Sequence, residues 1–155
     1  MNSSIKLSEA VSIGMLACAH IAANNGRRIA VREIATMLNA SPGHLSKVMG
    51  NLCKQGLVHS ITGPRGGMIL TRPPERIHLI EIFQAIVGNN PTFECLVSKQ
   101  SCSGPTCLLG GILDEVNKTL TTYLSQHTLA DLIARHCRNC KGFALDGSHL
   151  CAART

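Results

Sequence analysis

The sequence has no tryptophan and few other aromatic residues: one tyrosine and three phenylalanines occur among 155 residues. Because large rings are scarce, the interior of any folded domain must consist of aliphatic side chains and methionine. Charged residues are also sparse, at 15%, whereas 45% of the residues are hydrophobic, which is typical of a globular chain and not of a disordered one. The length suits one domain, or a small domain with an appendage.

No apolar run is long enough to cross a bilayer. The longest, residues 10–23, is interrupted by Ser12 and His20 and falls short of the roughly 20 residues that a span requires, so it predicts a buried helix. The N-terminal stretch MNSSIKLSEA has one lysine and no small-residue cleavage pattern, and it predicts no signal peptide. We therefore expect a cytoplasmic protein without a membrane partner.

Signals for catalysis are missing as well. The sequence shows no histidine-activated nucleophile, no phosphate-binding loop and no paired carboxylates. It also contains no internal repeat and no low-complexity segment. These absences argue against an enzyme.

Cysteine, in contrast, is abundant, with eight in the chain. In a reducing compartment a disulfide framework is disfavoured, so metal binding or thiol sensing is the better explanation. Cys95, Cys102 and Cys107 lie within thirteen positions of a stretch that also contains Gly104 and Pro105. Thiolates in such a loop suit an iron–sulfur cluster or zinc.

Basic residues are concentrated in the first half of the chain. Residues 1–75 carry eight Lys/Arg against three acids, a net charge of +5, and residues 76–155 carry seven against six, a net charge of +1. This asymmetry predicts a module that faces a polyanion, with nucleic acid as the first candidate. A solvated basic surface is the alternative.

A helix-turn-helix is predicted by the segments REIATMLNA and SPGHLSKVMGNLCKQG. Ser41 supplies an N-cap oxygen, Pro42 suits the first helical position, and Gly56 can adopt the left-handed conformation that ends the helix. The second helix would enter a major groove, and an ordinary helical hairpin is the alternative. The apolar faces are Ile34, Ala35 and Leu38 in the first helix, and Leu45, Val48, Met49 and Leu52 in the second.

Further elements follow in order. LVHSIT and MILT flank the turn-rich GPRGG and predict a β-hairpin wing with Arg65 in its tip. IHLIEIFQAIVGNN predicts a helix that Gly88 ends and whose inward residues are Leu79, Ile80, Phe83, Ile86 and Val87. A longer helix from about Cys107 carries an apolar stripe suited to a partner helix, or to its own domain: Leu109, Ile112, Val116, Leu120 and Tyr123. TLADLIARHC predicts a short terminal helix capped by Thr128.

The series REIATMLNASPGHLSKVMGNLCKQGLVHSITGPRGGMIL, followed by IHLIEIFQAIVG, three cysteines and TLADL, resembles the iron–sulfur winged-helix repressors typified by IscR and NsrR. The resemblance runs from about residue 5 to residue 133. It implies a homodimer, formed by crossing the long helices, that binds palindromic double-stranded promoter DNA. It also implies an iron–sulfur cluster, 2Fe-2S or 4Fe-4S, held by the three loop cysteines, whose state tunes DNA affinity in response to redox state, nitric oxide or iron supply.

The expected fold class is therefore mainly α with a small β-hairpin wing, a winged helix-turn-helix plus a long dimerisation helix. Residues 1–88 would form the DNA-binding domain and residues 89–106 the cysteine loop that binds the cluster. Residues 107–136 would form the dimerisation helix and the short terminal helix, and residues 137–155 a Cys-rich tail.

Seven residues are expected to contact DNA if the resemblance holds. Short polar groups at the N-terminal side of the second helix can approach base edges and phosphates, and cations at its end and on the wing suit phosphates or the minor groove. These residues are Ser41, Gly43, His44, Ser46, Lys47, Lys54 and Arg65. IscR-like proteins often have an arginine before the Gly-Pro of the wing, where this chain has Thr62.

The fourth cluster ligand must lie outside the loop. IscR-like members place a histidine three positions after the last cysteine, and here that position is Gly110. NsrR-like members use an acidic residue near the start of the first helix, donated by the other subunit, and Glu9 lies within one residue of that position. A carboxylate holds iron more weakly than thiolate, which leaves that corner open to nitric oxide, oxygen or another ligand. A surface carboxylate favoured by the helix dipole is the alternative role of Glu9.

The remaining cysteines differ in their surroundings. Cys18 and Cys53 lie among apolar helix positions and are predicted to be small core residues. In the tail, Cys137 and Cys140 form a C-x-x-C pair that His149 and Cys151 could complete as a zinc site. A disordered tail with accidental thiols, or a tail cysteine as the fourth cluster ligand, are alternatives.

Three alternatives concern the loop cysteines, which could hold zinc, form a reversible disulfide switch, or be idle. Two concern the protein as a whole. Within the same class, the rival is a cluster-free thiol- or zinc-based transcriptional sensor. From another class, the rival is an iron–sulfur redox protein that retains a helix-turn-helix.

Overall fold

The computed structural model describes residues 8–24, 26–88 and 110–139, with the backbone alone for residues 110 and 136–139. In these ranges the predicted class is confirmed: the fold is mainly helical, with one two-stranded antiparallel hairpin. The elements are α1 (Glu9–Ala23), α2 (Val31–Leu38), α3 (Pro42–Lys54), β1 (Val58–Ile61), β2 (Gly67–Leu70), a 3-10 helix (Pro74–Arg76), α4 (Leu79–Val87), α5 (Gly110–Gln126) and α6 (Leu129–Asn139).

Helix α1 forms the centre of the core. It is buried on nearly all sides and packs against α2, α3, α4, α6 and β2, which explains why its sequence is apolar all round. The side chain of Ser8 caps it by accepting a hydrogen bond from the Val11 amide at 3.3 Å. Within the described ranges, no helix has the length and apolar character needed to cross a membrane.

The helix-turn-helix forms as the sequence predicts. Helix α2 ends where Asn39 adopts a left-handed conformation with φ of 49°, and the Ser41 side chain then caps α3 by accepting from the His44 amide at 3.3 Å. Leu45, Val48, Met49 and Leu52 are buried, as are Ile34 and Ala35, whereas Leu38 is half-buried. The buried faces join the core built around α1.

The wing consists of β1 and β2, paired from Val58 opposite Leu70 to Ile61 opposite Gly67. Gly56, at φ of 68°, makes the turn from α3 into β1. A third segment joins the wing, because Ile29 and Met68 exchange backbone hydrogen bonds of 3.1 and 2.8 Å. At Gly67 a Cβ would lie 2.9 Å from the Ile29 carbonyl oxygen, so this pairing requires glycine.

Helix α4 departs from the predicted pattern at one end. Leu79 and Phe83 are buried and Ile80 and Ile86 are half-buried, in agreement with the prediction, but Val87 is 47% exposed. Ile82, which the predicted face omitted, is fully buried. The prediction for Val87 was wrong because this residue is the last of the helix, where no other described element covers it.

Helices α5 and α6 return to the same core. Leu124 and Leu129 are buried, and the turn between the helices is fixed by hydrogen bonds from the Leu79 amide to the His127 carbonyl (2.9 Å) and from the Leu129 amide to the Ile77 carbonyl (2.8 Å). The predicted cap is confirmed, since the Thr128 hydroxyl accepts from the Asp131 amide at 3.3 Å. Helix α6 runs to Asn139, two residues past the predicted helical segment TLADLIARHC, and the backbone of Cys137 is helical as that segment predicts.

Candidate nucleic-acid interface

The polar side of α3 faces solvent. Gly43, Ser46 and Lys47 are exposed, His44 is half-buried, and Lys54 is exposed in the last turn. These residues lie opposite the buried face, because a helix that buries four residues at i, i+3, i+4 and i+7 leaves the other side free. The Ser41 oxygen serves the helix cap, but its hydroxyl hydrogen remains available as a donor.

Arg65 is exposed in the turn of the wing. The turn is tight: the Gly66 amide donates to the Gly63 carbonyl at 2.9 Å, and a Cβ on Gly66 would lie 2.2 Å from the Ile61 carbonyl oxygen. The turn therefore holds the Arg65 backbone in a defined place, and a long cationic side chain extends from it. Helix α3 packs against β1, so Arg65 lies on the same module as α3. We define this module as α2, α3 and the wing.

Four arginines, in the segment before α2, in the wing turn and directly after β2, differ in their partners. Arg27 pairs with Glu33, and Arg72 pairs with Glu81 at 2.6 Å. Arg28 and Arg65 form no ion pair with any carboxylate in the described ranges; instead, Nη1 of Arg28 donates to the Arg65 carbonyl oxygen at 3.3 Å. Their charges therefore remain available to an external anion.

Titratable groups around the module have structural roles. Burial would raise the pKa of Glu81, but the hydrogen bond from Arg72, the His78 amide and the charges of both residues outweigh it and lower that pKa. Burial raises the pKa of the Cys18 thiol to about 12, and the nearby Cys53 adds to the rise. Burial also raises the pKa of the half-buried Cys53. Thiols with such pKa values stay protonated and unreactive near neutral pH.

The predicted metal ligands lie largely outside the described residues. Cys95, Cys102 and Cys107 are outside them, as are Cys140, His149 and Cys151, and only the backbone of Cys137 is described. Glu9 is the first residue of α1, next to the cap, and is exposed. The part of the chain that is described holds no group of three or more potential metal ligands, so both predicted metal sites depend on the remaining residues.

Helix α5 exposes an apolar stripe that we define as Ile112, Val116 and Tyr123. These side chains are 60%, 37% and 42% exposed. They are spaced by four and seven residues and so share one side of the helix. Leu120, predicted to belong to the same stripe, is half-buried, and Leu109 lies outside the described residues.

Sequence reasoning missed Arg28 and the strand pairing of Ile29. The one available signal was the pair of arginines in GRRIAV just before a β-branched residue. It also missed His20, which is buried in α1 with its Nε2 atom 3.8 Å from a carboxylate oxygen of Glu33. These are contacts between segments far apart in sequence or on different helices, which local patterns do not report.

Comparison with known proteins decides the class. Residues 7–135 match the Rrf2 family, described as "Iron-dependent Transcriptional regulator". The chain belongs to the Rrf2 family. Members of the Rrf2 family that resemble it are helix-turn-helix transcription regulators, which bind DNA, and are not enzymes.

Individual relatives agree with this class. The chain is 34% identical over 105 residues to the HTH-type transcriptional regulator NsrR of Halalkalibacterium halodurans, which covers 66% of this chain and 72% of that protein. The solved structure of T. potens IscR matches with a TM-score of 0.68 and 24% identity, over 90% of this chain and 96% of that one. CymR (YrzC), the global cysteine regulator of B. subtilis, matches with a TM-score of 0.66 and 23% identity, over 85% and 98%. The two structures support the Rrf2 fold and no finer function.

Proposed function

We propose that this Rrf2 protein is a homodimeric repressor that binds palindromic promoter DNA and senses redox state, nitric oxide or iron supply through an iron–sulfur cluster at Cys95, Cys102 and Cys107. The observation that carries the DNA-binding part is the solvent-facing polar side of α3 beside a wing whose arginine charge has no carboxylate partner in the described ranges. The boundaries expected above, a DNA-binding domain to residue 88, a cysteine loop to residue 106 and a dimerisation region to residue 136, belong to this proposal.

DNA recognition would use two surfaces of one rigid module. Gly43 is exposed and has no side chain, so a duplex could approach the α3 backbone closely at this position. Ser46 and Lys47 can reach base edges and phosphates from the exposed side of α3. Arg65 extends from the wing, where a guanidinium suits a phosphate or a minor groove.

Dimerisation would use the apolar stripe of α5. Exposed side chains of this size in one row are costly in water, and a second copy of the same helix would bury them. Such an interface is isologous and places two α3 helices in related positions, as a palindromic site requires. The 47% exposed Val87 at the end of α4 would add to it.

The cofactor proposal rests on the donor set. Three thiols and one carboxylate suit iron, with the carboxylate as the weak and exchangeable ligand. Glu9 is exposed at the start of α1 and makes no ion pair in the described ranges, so its oxygens are free to act as a ligand for the partner subunit. When bound, the cluster would supply redox chemistry and reactivity towards nitric oxide.

The DNA-binding proposal is tested by selecting duplexes from a randomised library on the wild-type protein and titrating the selected duplex at several salt concentrations. We expect a palindromic consensus and an affinity that falls steeply with salt. Lys47→Ala should weaken binding roughly tenfold or more. Lys118→Ala, a matched change on the exposed side of α5, should not. Binding that ignores salt and sequence would exclude a promoter-specific regulator.

The cofactor proposal is tested by anaerobic purification followed by visible absorption and by iron, sulfide and zinc analysis. We expect iron and sulfide in the wild type and their loss in Cys102→Ser. Glu9→Ala should keep the iron initially but release it faster to a chelator than Glu75→Ala, a control at another exposed carboxylate. A colourless, iron-free protein that still binds the selected duplex would support a thiol- or zinc-based sensor instead. Zinc that disappears in Cys140→Ser would assign the tail set of Cys137, Cys140, His149 and Cys151.

A further inference from the structure

We propose that Arg28, in the segment that joins α1 to α2, contacts DNA as one half of an arginine pair with Arg65. This inference rests on the proposed DNA-binding function and extends the proposed DNA-binding surface to a segment outside both α3 and the hairpin of β1 and β2. It assigns to Arg28 a direct contact with a backbone phosphate next to the place where the wing meets the duplex.

The first argument is position. Nη1 of Arg28 donates to the carbonyl oxygen of Arg65 at 3.3 Å, although the two residues are 37 positions apart in the chain. The Arg28 guanidinium therefore lies directly at the wing turn, and its remaining N–H groups are free to donate to another acceptor. Both side chains are exposed.

The second argument is rigidity. The next residue, Ile29, is completely buried and pairs with Met68 through two backbone hydrogen bonds. The Arg28 backbone is thereby attached to the strand that leads out of the wing turn. A cation on such a support loses less conformational entropy on binding than one on an unattached loop.

The third argument is charge. Arg27 and Arg72 are neutralised by Glu33 and Glu81, whereas no carboxylate of the described residues pairs with Arg28 or Arg65. Two cationic side chains at one turn raise the local positive potential, which favours the binding of an anion. A phosphate diester is the anion that the proposed partner supplies, and arginine binds it in bidentate geometry.

The test compares Arg28→Ala and Arg28→Gln with the wild-type full chain on the selected duplex. Glutamine keeps a hydrogen-bond donor for the Arg65 carbonyl but removes the charge. A phosphate contact predicts that both variants bind roughly tenfold or more weakly, and that each lowers the slope of log K against log salt by about 0.9 per subunit. Arg27→Gln is the matched control, since the neighbouring guanidinium is already paired, and its slope should equal that of the wild type.

The outcomes separate the alternatives. Wild-type affinity and slope in Arg28→Gln, with a loss in Arg28→Ala, would overturn the proposal and leave Arg28 as a structural brace of the wing. An unchanged slope in both variants would overturn it too. Equal melting temperatures for all variants show that a loss is not due to unfolding, as expected for an exposed side chain. If the wild type itself binds no selected duplex with salt dependence, the proposed regulator function fails, and the role of Arg28 fails with it.

Discussion

A single hydroxyl caps the start of helix α3. Ser41 precedes α3 and accepts the His44 amide, one of the donors that the first turn of a helix leaves without an internal partner. Ser41→Ala should reduce the free energy of unfolding by about 1 kcal/mol, measured by urea denaturation. Ser46→Ala, on the exposed side of the same helix, should change it by less than about 0.5 kcal/mol. Equal losses in both variants would show that the cap is not the cause.

Two thiols, one in α1 and one in α3, should resist alkylation. Cys18 is completely buried with a pKa raised to about 12, and Cys53 is half-buried with a raised pKa. Because the thiolate is the reactive form, mass spectrometry after native iodoacetamide treatment at neutral pH should find Cys18 unmodified and Cys53 modified more slowly than in a denatured control. Fast native labelling of Cys18 would contradict its burial. The prediction of core cysteines holds fully for Cys18 and partly for Cys53.

At the scale of elements, the start of α4 should respond to acid. Glu81 closes a capping box with His78 and pairs with Arg72, and its folded-state pKa is lowered. A depressed pKa contributes stability that is fully present above the unfolded-state pKa of about 4.3 and is lost as pH falls through the folded-state value. Glu81→Gln should therefore flatten the loss of stability that follows as the pH falls below the unfolded-state pKa of about 4.3.

The matched control for this prediction is Glu75→Gln. Glu75 is exposed on the 3-10 helix and forms no ion pair in the described ranges. Urea denaturation at a series of pH values should give the same profile for this variant as for the wild type. An identical acid response of the two variants would mean that Glu81 does not stabilise α4.

Elements with local signals were predictable from sequence. Ser41, Gly56 and Thr128 each make a backbone turn or cap by chemistry that depends on a few neighbouring residues, and each has the predicted role. Pairing between distant segments was not predictable, because neither Ile29 nor Met68 carries a local pattern that identifies the other. Ile82 is buried and Val87 is exposed because of the way other helices cover α4, which the spacing of apolar residues in the α4 sequence does not reveal.

The candidate site was predictable in part for the same reason. Exposed polar residues of α3 and Arg65 follow from the helical period and the turn chemistry, and the structure places them on one module. Arg28 reaches the wing only through the fold. The three loop cysteines and the tail set remain predictions from sequence, since they lie outside the described residues apart from the backbone of Cys137.

At the scale of the whole molecule, the apolar stripe of α5 predicts the oligomeric state. Val116→Asp would place a carboxylate in the proposed interface, where burying an unpaired charge is costly. Light scattering after size exclusion should show a dimer for the wild type and a dissociation constant at least about a hundredfold higher for the variant. Lys118→Asp, roughly 200° away around the helix axis, should remain a dimer. A monomeric wild type would show that the apolar stripe of α5 is not a dimer interface.

The pairing of Ile29 with Met68 has a dynamic consequence. The amide of each residue donates to the carbonyl oxygen of the other. The segment before α2 and the wing should therefore open as one unit, and the two amides should show the same opening free energy in hydrogen exchange. Gly67→Ala would press a methyl group against the Ile29 backbone and should speed exchange at both amides together, while leaving the Leu52 amide in α3 unchanged. Independent exchange of Ile29 and Met68 would contradict this coupling.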